Sequence, residues 1–244
     1  MDILPFKCGR IYFGSNKNEG FSKGLFKGMN VSPFVGDNED DVRANIEKAR
    51  ELLHADKLIL LNQVHGNEVL YAKEDTEMYQ KYDALITDIP GIAIGVMTAD
   101  CAPIIFIDME ANIVGVAHAG WRGAASGIIE NTIKRMRQLG SVQIMAVIGP
   151  CIHEDNYVVD EEFKNNFAGK NTEHCFYEID GQLHFSLPIY CYNVLTDEGV
   201  DAQICRNDTY NERDKYFSYR RAKEETNGVC GRNLTAICLK KTKY

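Results

Sequence analysis

Positive charge is in short supply in this chain of 244 residues: 27 Lys and Arg face 35 Asp and Glu, for a formal net charge of −8. That balance argues against a nucleic-acid binder, which needs clustered cations to neutralise phosphates. It argues equally against a polybasic membrane-surface protein. A small anionic substrate stays compatible with it, because a pocket can be basic on an acidic protein. Long apolar runs are missing as well. The longest, Ile92 to Ile107, is broken by Thr98 and Asp100 and falls short of the roughly 20 residues of a membrane span. The opening residues, MDILPFKCGRIYFGS, have no basic stretch followed by an apolar one, so no secretory signal is expected. The eight cysteines, at 8, 101, 151, 175, 191, 205, 230 and 238, form no CxxC pair. They read as reduced thiols in a cytoplasm, and all but Cys101 as small buried hydrophobes. No Pro/Gly/Ser linker, low-complexity run or fixed-period repeat divides the chain, which favours one domain. Walker A, GxGxxG and HExxH sequences are absent too, and the chemistries they carry are not supported.

What is present is an ordinary globular composition, 45% apolar and 25% charged, with enough material for a sizeable core. Asp40 to His54 predicts a helix with Val42, Ile46, Ala49 and Leu53 on one face, capped by Asp37 or Asn38. Leu58–Leu61 and Val69–Ala72 predict strands around the loop NQVHGNE. Ala84–Thr87, Ile92–Thr98, Ile104–Asp108 and Ile113–Ala117 are short apolar runs bounded by turn formers. A helix is expected from about Gly123 to Leu139, a strand over Val142–Ile148 and a helix over Ser186–Glu198, with late strands at Tyr216–Arg220 and Leu234–Leu239. The central strands are apolar on consecutive residues, as strands buried on both faces are. An α/β fold with sheets packed between helical layers follows.

Three loops, each after a predicted strand, concentrate unusual residues: NQVHG, TADCAP and HAGWRG. Together they supply His65, Cys101 and His118, a His2Cys set with a fourth position open, which is the catalytic zinc pattern. The gaps of 36 and 17 residues match no short-range zinc spacing. Taken singly, each histidine reads better as a satisfied loop or core residue and Cys101 as a buried thiol. The same three residues also compose a thiolate–imidazole pair, with Asp100 or another carboxylate as orienter. In HAGWRG, Gly120 and Gly123 ease a strand into a helix whose free N–H groups, with Arg122, suit an anion. The bland alternative is tight packing with a solvated Arg122. On a strand, Ser218 and Arg220 would share one face and Arg220 would reach a pocket. A charged edge strand is the better reading of that segment from pattern alone.

NQVHG, TADCAPI, AHAGWRG, GPCI followed by Tyr157-Val158, and FSYRR together resemble the YfiH/YlmD (DUF152) family, from about Gly28 to Leu239. That family also carries the labels laccase-like polyphenol oxidase and purine nucleoside phosphorylase. The resemblance implies a single-domain, four-layer α-β-β-α sandwich. It implies that His65, Cys101 and His118 hold a metal, usually zinc, with copper as a possible occupant. It implies phosphorolysis of adenosine, inosine and 5′-methylthioadenosine with adenosine deamination beside it, in a monomer or homodimer. Copper-dependent phenol oxidation and editing of peptidoglycan precursors, the latter as a cysteine hydrolase or amidase, are further labels. A laccase needs several coppers and many more histidines than the six here. For deamination Asp100 is the expected proton shuttle. Asn30, Gln63, Arg122 and Arg220 are the expected substrate contacts. Three departures stand out: Ile46 where an arginine is common, with Arg43 one turn earlier as a stand-in; Asp208 in place of a cysteine; and Cys230 in place of a threonine.

Overall fold

The computed structural model describes residues 2–14, 19–170, 172 and 174–241. In chain order its elements are β1 (Asp2–Phe6), β2 (Gly9–Gly14), α1 (Glu39–Leu52), β3 (Lys57–Leu60), β4 (Val69–Tyr71), β5 (Ala84–Thr87) and β6 (Ile92–Thr98). There follow β7 (Ala102–Asp108), β8 (Ile113–Ala119), α2 (Trp121–Ser126), α3 (Ile128–Gln138) and β9 (Met145–Ile148). The last are the hairpin β10 (Phe176–Ile179) and β11 (Gln182–Phe185), α4 (Leu187–Asp197), β12 (Asp201–Ile204), α5 (Tyr219–Glu225) and β13 (Asn233–Leu239).

The strands form two mixed sheets, one ordered β1-β2-β13-β6-β3 and one ordered β12-β9-β7-β8-β5-β4. Alternation along each strand sends one set of side chains between the sheets and the other outward. Ile94 and Val96 of β6 and Ile237 of β13 meet Leu85, Ile105 and Val116 of the second sheet. Each such buried aliphatic contributes about 1.5–3 kcal/mol. The outward set of the first sheet, with Leu58, Ala93, Met97 and Ala236, packs on Ala49 and Leu53 at the α1 side. The outward set of the second, with Ile104, Phe106 and Ala117, packs on Ile129 and Ile133 of α3 and Tyr190 and Leu195 of α4. The result is the expected α-β-β-α layering.

Asn38 caps α1, its side chain accepting from the N–H groups of Asp40 and Asp41 at 3.0 Å each. The helix expected from Gly123 to Leu139 is two helices. Gly127, at φ +96, ends α2 and starts α3, and the left-handed backbone turns the chain there. The expected strand at Tyr216–Arg220 is not formed. Ser218 accepts from the N–H of Arg221 and opens helix α5 instead, because a serine on extended backbone is a better N-cap than a strand residue. Strands β1, β2 and β12 and the β10–β11 hairpin had no expectation attached. Of the seven cysteines expected in the core, Cys151, Cys175, Cys191, Cys230 and Cys238 are buried, while Cys8 and Cys205 are only partly so. Among the described residues no helix is long and apolar enough to cross a membrane.

Candidate metal centre and cleft

One end of the two sheets gathers all three motif loops. The tight turn between β6 and β7 carries Asp100 and Cys101. His118 sits on β8, directly across from Pro103 of β7. The chain leaving β3 brings His65 to the same point. The donor atoms of His65, Cys101 and His118 lie within 4.8 Å of one another. The two imidazoles meet edge to face, 4.7 Å between centroids.

Asp83, just before β5, organises this set. Its buried carboxylate accepts from the backbone N–H groups of Val64 (3.2 Å), His65 (3.0 Å) and Gly66 (2.6 Å). It also bonds His118 Nδ1 at 2.8 Å. Nε2 of His118 is thereby left for a partner, and Cys101 is hydrogen-bonded to that side chain. His65 holds φ +57 and Asp100 φ +85, left-handed conformations that cost a non-glycine residue on the order of 1 kcal/mol and gather at functional sites. Gly120 is required for a different reason: a Cβ there would lie 2.9 Å from both Cys101 Sγ and His65 Nδ1.

Burial on its own would lower the pKa of His118, but the negative charge of Cys101 and the Asp83 hydrogen bond outweigh it and carry it up to about 9. His65 moves the opposite way, down to about 4, through burial first and then the charge of His118; Arg122 and Arg232 add to the effect. Burial works against ionised Asp83, yet the His118 hydrogen bond and charge and the backbone N–H groups hold its carboxyl below the usual range. Two imidazoles and a thiol with an outer carboxylate on one imidazole are a soft N/S donor set that fits zinc or copper.

The donors open onto a cleft of about 770 Å³. Arg122, Arg220, Lys223 and Arg232 line it, with Trp121, Tyr157 and Phe163 as aromatic walls. The Arg122 guanidinium stacks 4.3 Å above the Trp121 ring and makes no hydrogen bond or ion pair among the described residues. Arg220 stacks 5.2 Å over Tyr157 and donates to the carbonyls of Asn156 and Val158 at 3.3 and 3.1 Å.

Other expected site residues play different parts. Gln63 lines the cleft, but its amide pairs twice with the Met97 backbone, at 2.7 and 2.8 Å, tying the His65 loop to β6. Asn30 is a correction. It is fully buried and absent from the cleft wall. Its Oδ1 accepts from the N–H groups of Ser32 and Arg232, and its Nδ2 donates to Asp37, so every polar atom is used inside the protein. Asp100 borders the cleft, but its carboxylate accepts from Thr209 Oγ1 and the Arg220 N–H, both at 2.7 Å, and from Ser218. These bonds oppose the burial that pushes its carboxyl up. It is not one of the clustered donors, and bonds engage both of its oxygens, unlike those of a free proton shuttle. Asp83, Arg232 and Lys223 were missed. A lone acid before an apolar strand, and cations near the chain end, carry no spacing signal.

Over residues 11–240 the chain matches the family model described as multi-copper polyphenol oxidoreductase laccase. The chain belongs to this family. It is the YfiH (DUF152) family that the motifs resemble. A relative from Rickettsia prowazekii, named purine nucleoside phosphorylase, is 34% identical over 208 residues, 83% of this chain and 87% of its own. One from an unknown prokaryotic organism, named adenosine deaminase, is 30% identical over 255 residues, 97% of each chain. The crystal structure of a DUF152 protein from Neisseria meningitidis matches with a TM-score of 0.88 at 32% identity, covering 99% of this chain and 100% of that one.

Within this YfiH-family chain the departures fall as follows. Ile46 packs at the α1 layer. Arg43 does not replace the missing arginine, because it points to solvent and pairs with Asp40 at 2.9 Å. Asp208 accepts from Asn156 at 2.7 Å and from the N–H of Tyr210, bracing the loop that delivers Thr209 to Asp100. Cys230 is buried beside Ala99 and Phe217.

Proposed function

We propose that the chain is a zinc-dependent purine nucleoside phosphorylase of the cytoplasm. It acts on adenosine, inosine and 5′-methylthioadenosine with phosphate, with adenosine deamination as a side activity. The observation that carries this reading is the opening of the His65–Cys101–His118 set onto the same cleft as Arg122 and Arg232. The names of the relatives from Rickettsia prowazekii and the unknown prokaryote support the same chemistry. Zinc, when bound to these three donors, supplies a Lewis acid and lowers the pKa of a bound water.

The chain's own residues do the rest. Arg122 and Arg232 hold the phosphate oxygens and offset their charge as one of them bonds to C1′. Trp121, Tyr157 and Phe163 give the purine apolar faces to stack on. The C1′–N9 bond breaks and its electron pair leaves with the purine. Asp83 keeps His118 in one tautomer. Asp100 is a positioning residue in this reading, acting through Cys101, its neighbour, and the start of α5. The eight cysteines are free of disulfides, which suits a reducing compartment.

The test is hypoxanthine release from inosine on protein of known metal content. We expect release that needs phosphate and that disappears, together with the metal, in His118→Ala. Turnover that persists in the metal-free variant would refute the reading. One arrangement favours a second reading: Cys101, His118 and Asp83 stand in the order thiol, imidazole, carboxylate, the constellation of a cysteine hydrolase or amidase. That enzyme survives stringent chelation and is silenced by alkylation of Cys101, whereas the phosphorylase is silenced by chelation alone.

A further inference from the structure

Four cations line the cleft, Arg122, Arg220, Lys223 and Arg232, against two acids whose carboxylates already accept internal bonds: Asp100 from Thr209 and the Arg220 N–H, and Asp160 from the Phe163 N–H. Arg122 and Arg232 act beside the metal donors, where both bear on His65. Arg220 and Lys223 form a second pair on the same cleft. They sit three residues apart on α5 and so share one face of the helix. Arg220 is held in place: Asp100 accepts from its backbone N–H, two guanidinium N–H groups reach carbonyls, and Tyr157 lies under the plane. An arginine has five N–H donors, so the remaining ones are open to a ligand. Lys223 Nζ lies 5.8 Å from the centroid of the Tyr219 ring, at the same wall. The acids next to it on α5 are engaged elsewhere. Glu224 accepts from the Tyr210 hydroxyl at 2.7 Å, and Glu225 pairs with Arg213 at 2.8 Å. Neither Arg220 nor Lys223 has an acidic ion-pair partner among the described residues, in a protein whose net charge is −8.

We propose that the Arg220–Lys223 pair takes a second phosphate group, one carried by the nucleoside itself, so that the cleft accepts nucleoside 5′-monophosphates. The inference deepens the phosphorylase reading and rests on it for the reaction, though not for the binding. In that reaction an oxygen of inorganic phosphate bonds to C1′ and the C1′–N9 bond breaks. The electron pair leaves on the purine, which takes up a proton, and the products are the free purine and ribose 1,5-bisphosphate. Nothing is oxidised or reduced.

The experiment uses the metal-loaded full chain. Inosine and inosine 5′-monophosphate are titrated separately by calorimetry without inorganic phosphate, and hypoxanthine release from each is then followed with it. We expect the monophosphate to bind about tenfold tighter, the scale of one charge-assisted contact. Lys223→Ala should remove most of that preference and Lys223→Arg should keep it, both read as the ratio of monophosphate to inosine affinity in the same variant. Equal or weaker binding of the monophosphate overturns the proposal, and so does a preference that Lys223→Ala leaves intact. Inosine turnover without any such preference removes this second subsite and leaves the phosphorylase reading standing. Lys223-dependent binding with no turnover of either compound does the reverse.

Discussion

Replacing Gly120 with alanine attacks the metal donors while sparing the backbone. Gly120 has φ −68 and ψ 160, a conformation open to any L-residue. Fewer unfolded conformations would by themselves stabilise the variant by about 0.4–1 kcal/mol. The new methyl, however, falls 2.9 Å from Cys101 Sγ, 2.9 Å from His65 Nδ1 and 3.3 Å from His65 Cε1. Ordinary contacts of a carbon begin at about 3.5 Å, so both donors must retreat by about half an ångström. Metal–ligand distances tolerate only about 0.2 Å. In the metal-free protein the two side chains can swing aside, and the fold keeps its stability. With metal they cannot, and affinity should drop at least 10–100-fold, the range seen when ligand orientation is spoiled. The assay has two arms: metal per chain by mass spectrometry after dialysis, and urea unfolding of the metal-free protein. Full metal content with normal turnover in Gly120→Ala would sink the reasoning. A loss of more than about 2 kcal/mol in the metal-free protein would show instead that the methyl disrupts packing beyond the donors.

Three further outcomes follow from the same geometry. Asp83→Asn places an amide against His118 Nδ1 and three backbone N–H groups. It should cost 10–100-fold in metal affinity, at about that scale, and about 1–3 kcal/mol of stability, read by chelator competition and urea unfolding. Asp100→Ala leaves Thr209 and the Arg220 N–H without their acceptor and should lose about 2–4 kcal/mol. Asp100→Asn can still accept from the Arg220 N–H and donate to Thr209; retained turnover there, with a KM close to that of the parent, fits a positioning residue, and its abolition in a folded protein fits the proton shuttle. Arg43→Ala should leave kcat/KM unchanged and shift stability by less than about 0.5 kcal/mol, because its ion pair with Asp40 is exposed and within one turn.

The legible parts were those where neighbouring residues decide. The α1 stripe, its Asn38 cap and the apolar runs of β5, β6 and β8 rest on short-range patterning, and each formed close to its expected bounds. The one central helix that went wrong broke at Gly127, a glycine whose φ of +96 was not readable among favourable helix formers. FSYRR read as a strand by alternation, yet a serine cap and a buried acid from another loop made it the start of α5. Strands β1 and β12 lie at sheet edges, where half-exposed residues weaken the periodic signal.

At the site the same division holds. His65, Cys101 and His118 were nameable from their loops, since residue type and position after a strand are local facts. The sequence alone thus supplied the candidate donors, the acidic balance and the layered α/β architecture. Only tertiary structure decided that Asp83 orients His118 across 35 positions of chain and that Asp100 bonds the N–H of Arg220 across 120. It alone decided that Asn30 is spent on internal hydrogen bonds and that Arg232 and Lys223 face the cleft. The physical reason is that hydrogen bonds and charge pairs act through space over a few ångströms, whereas a sequence records only distance along the chain.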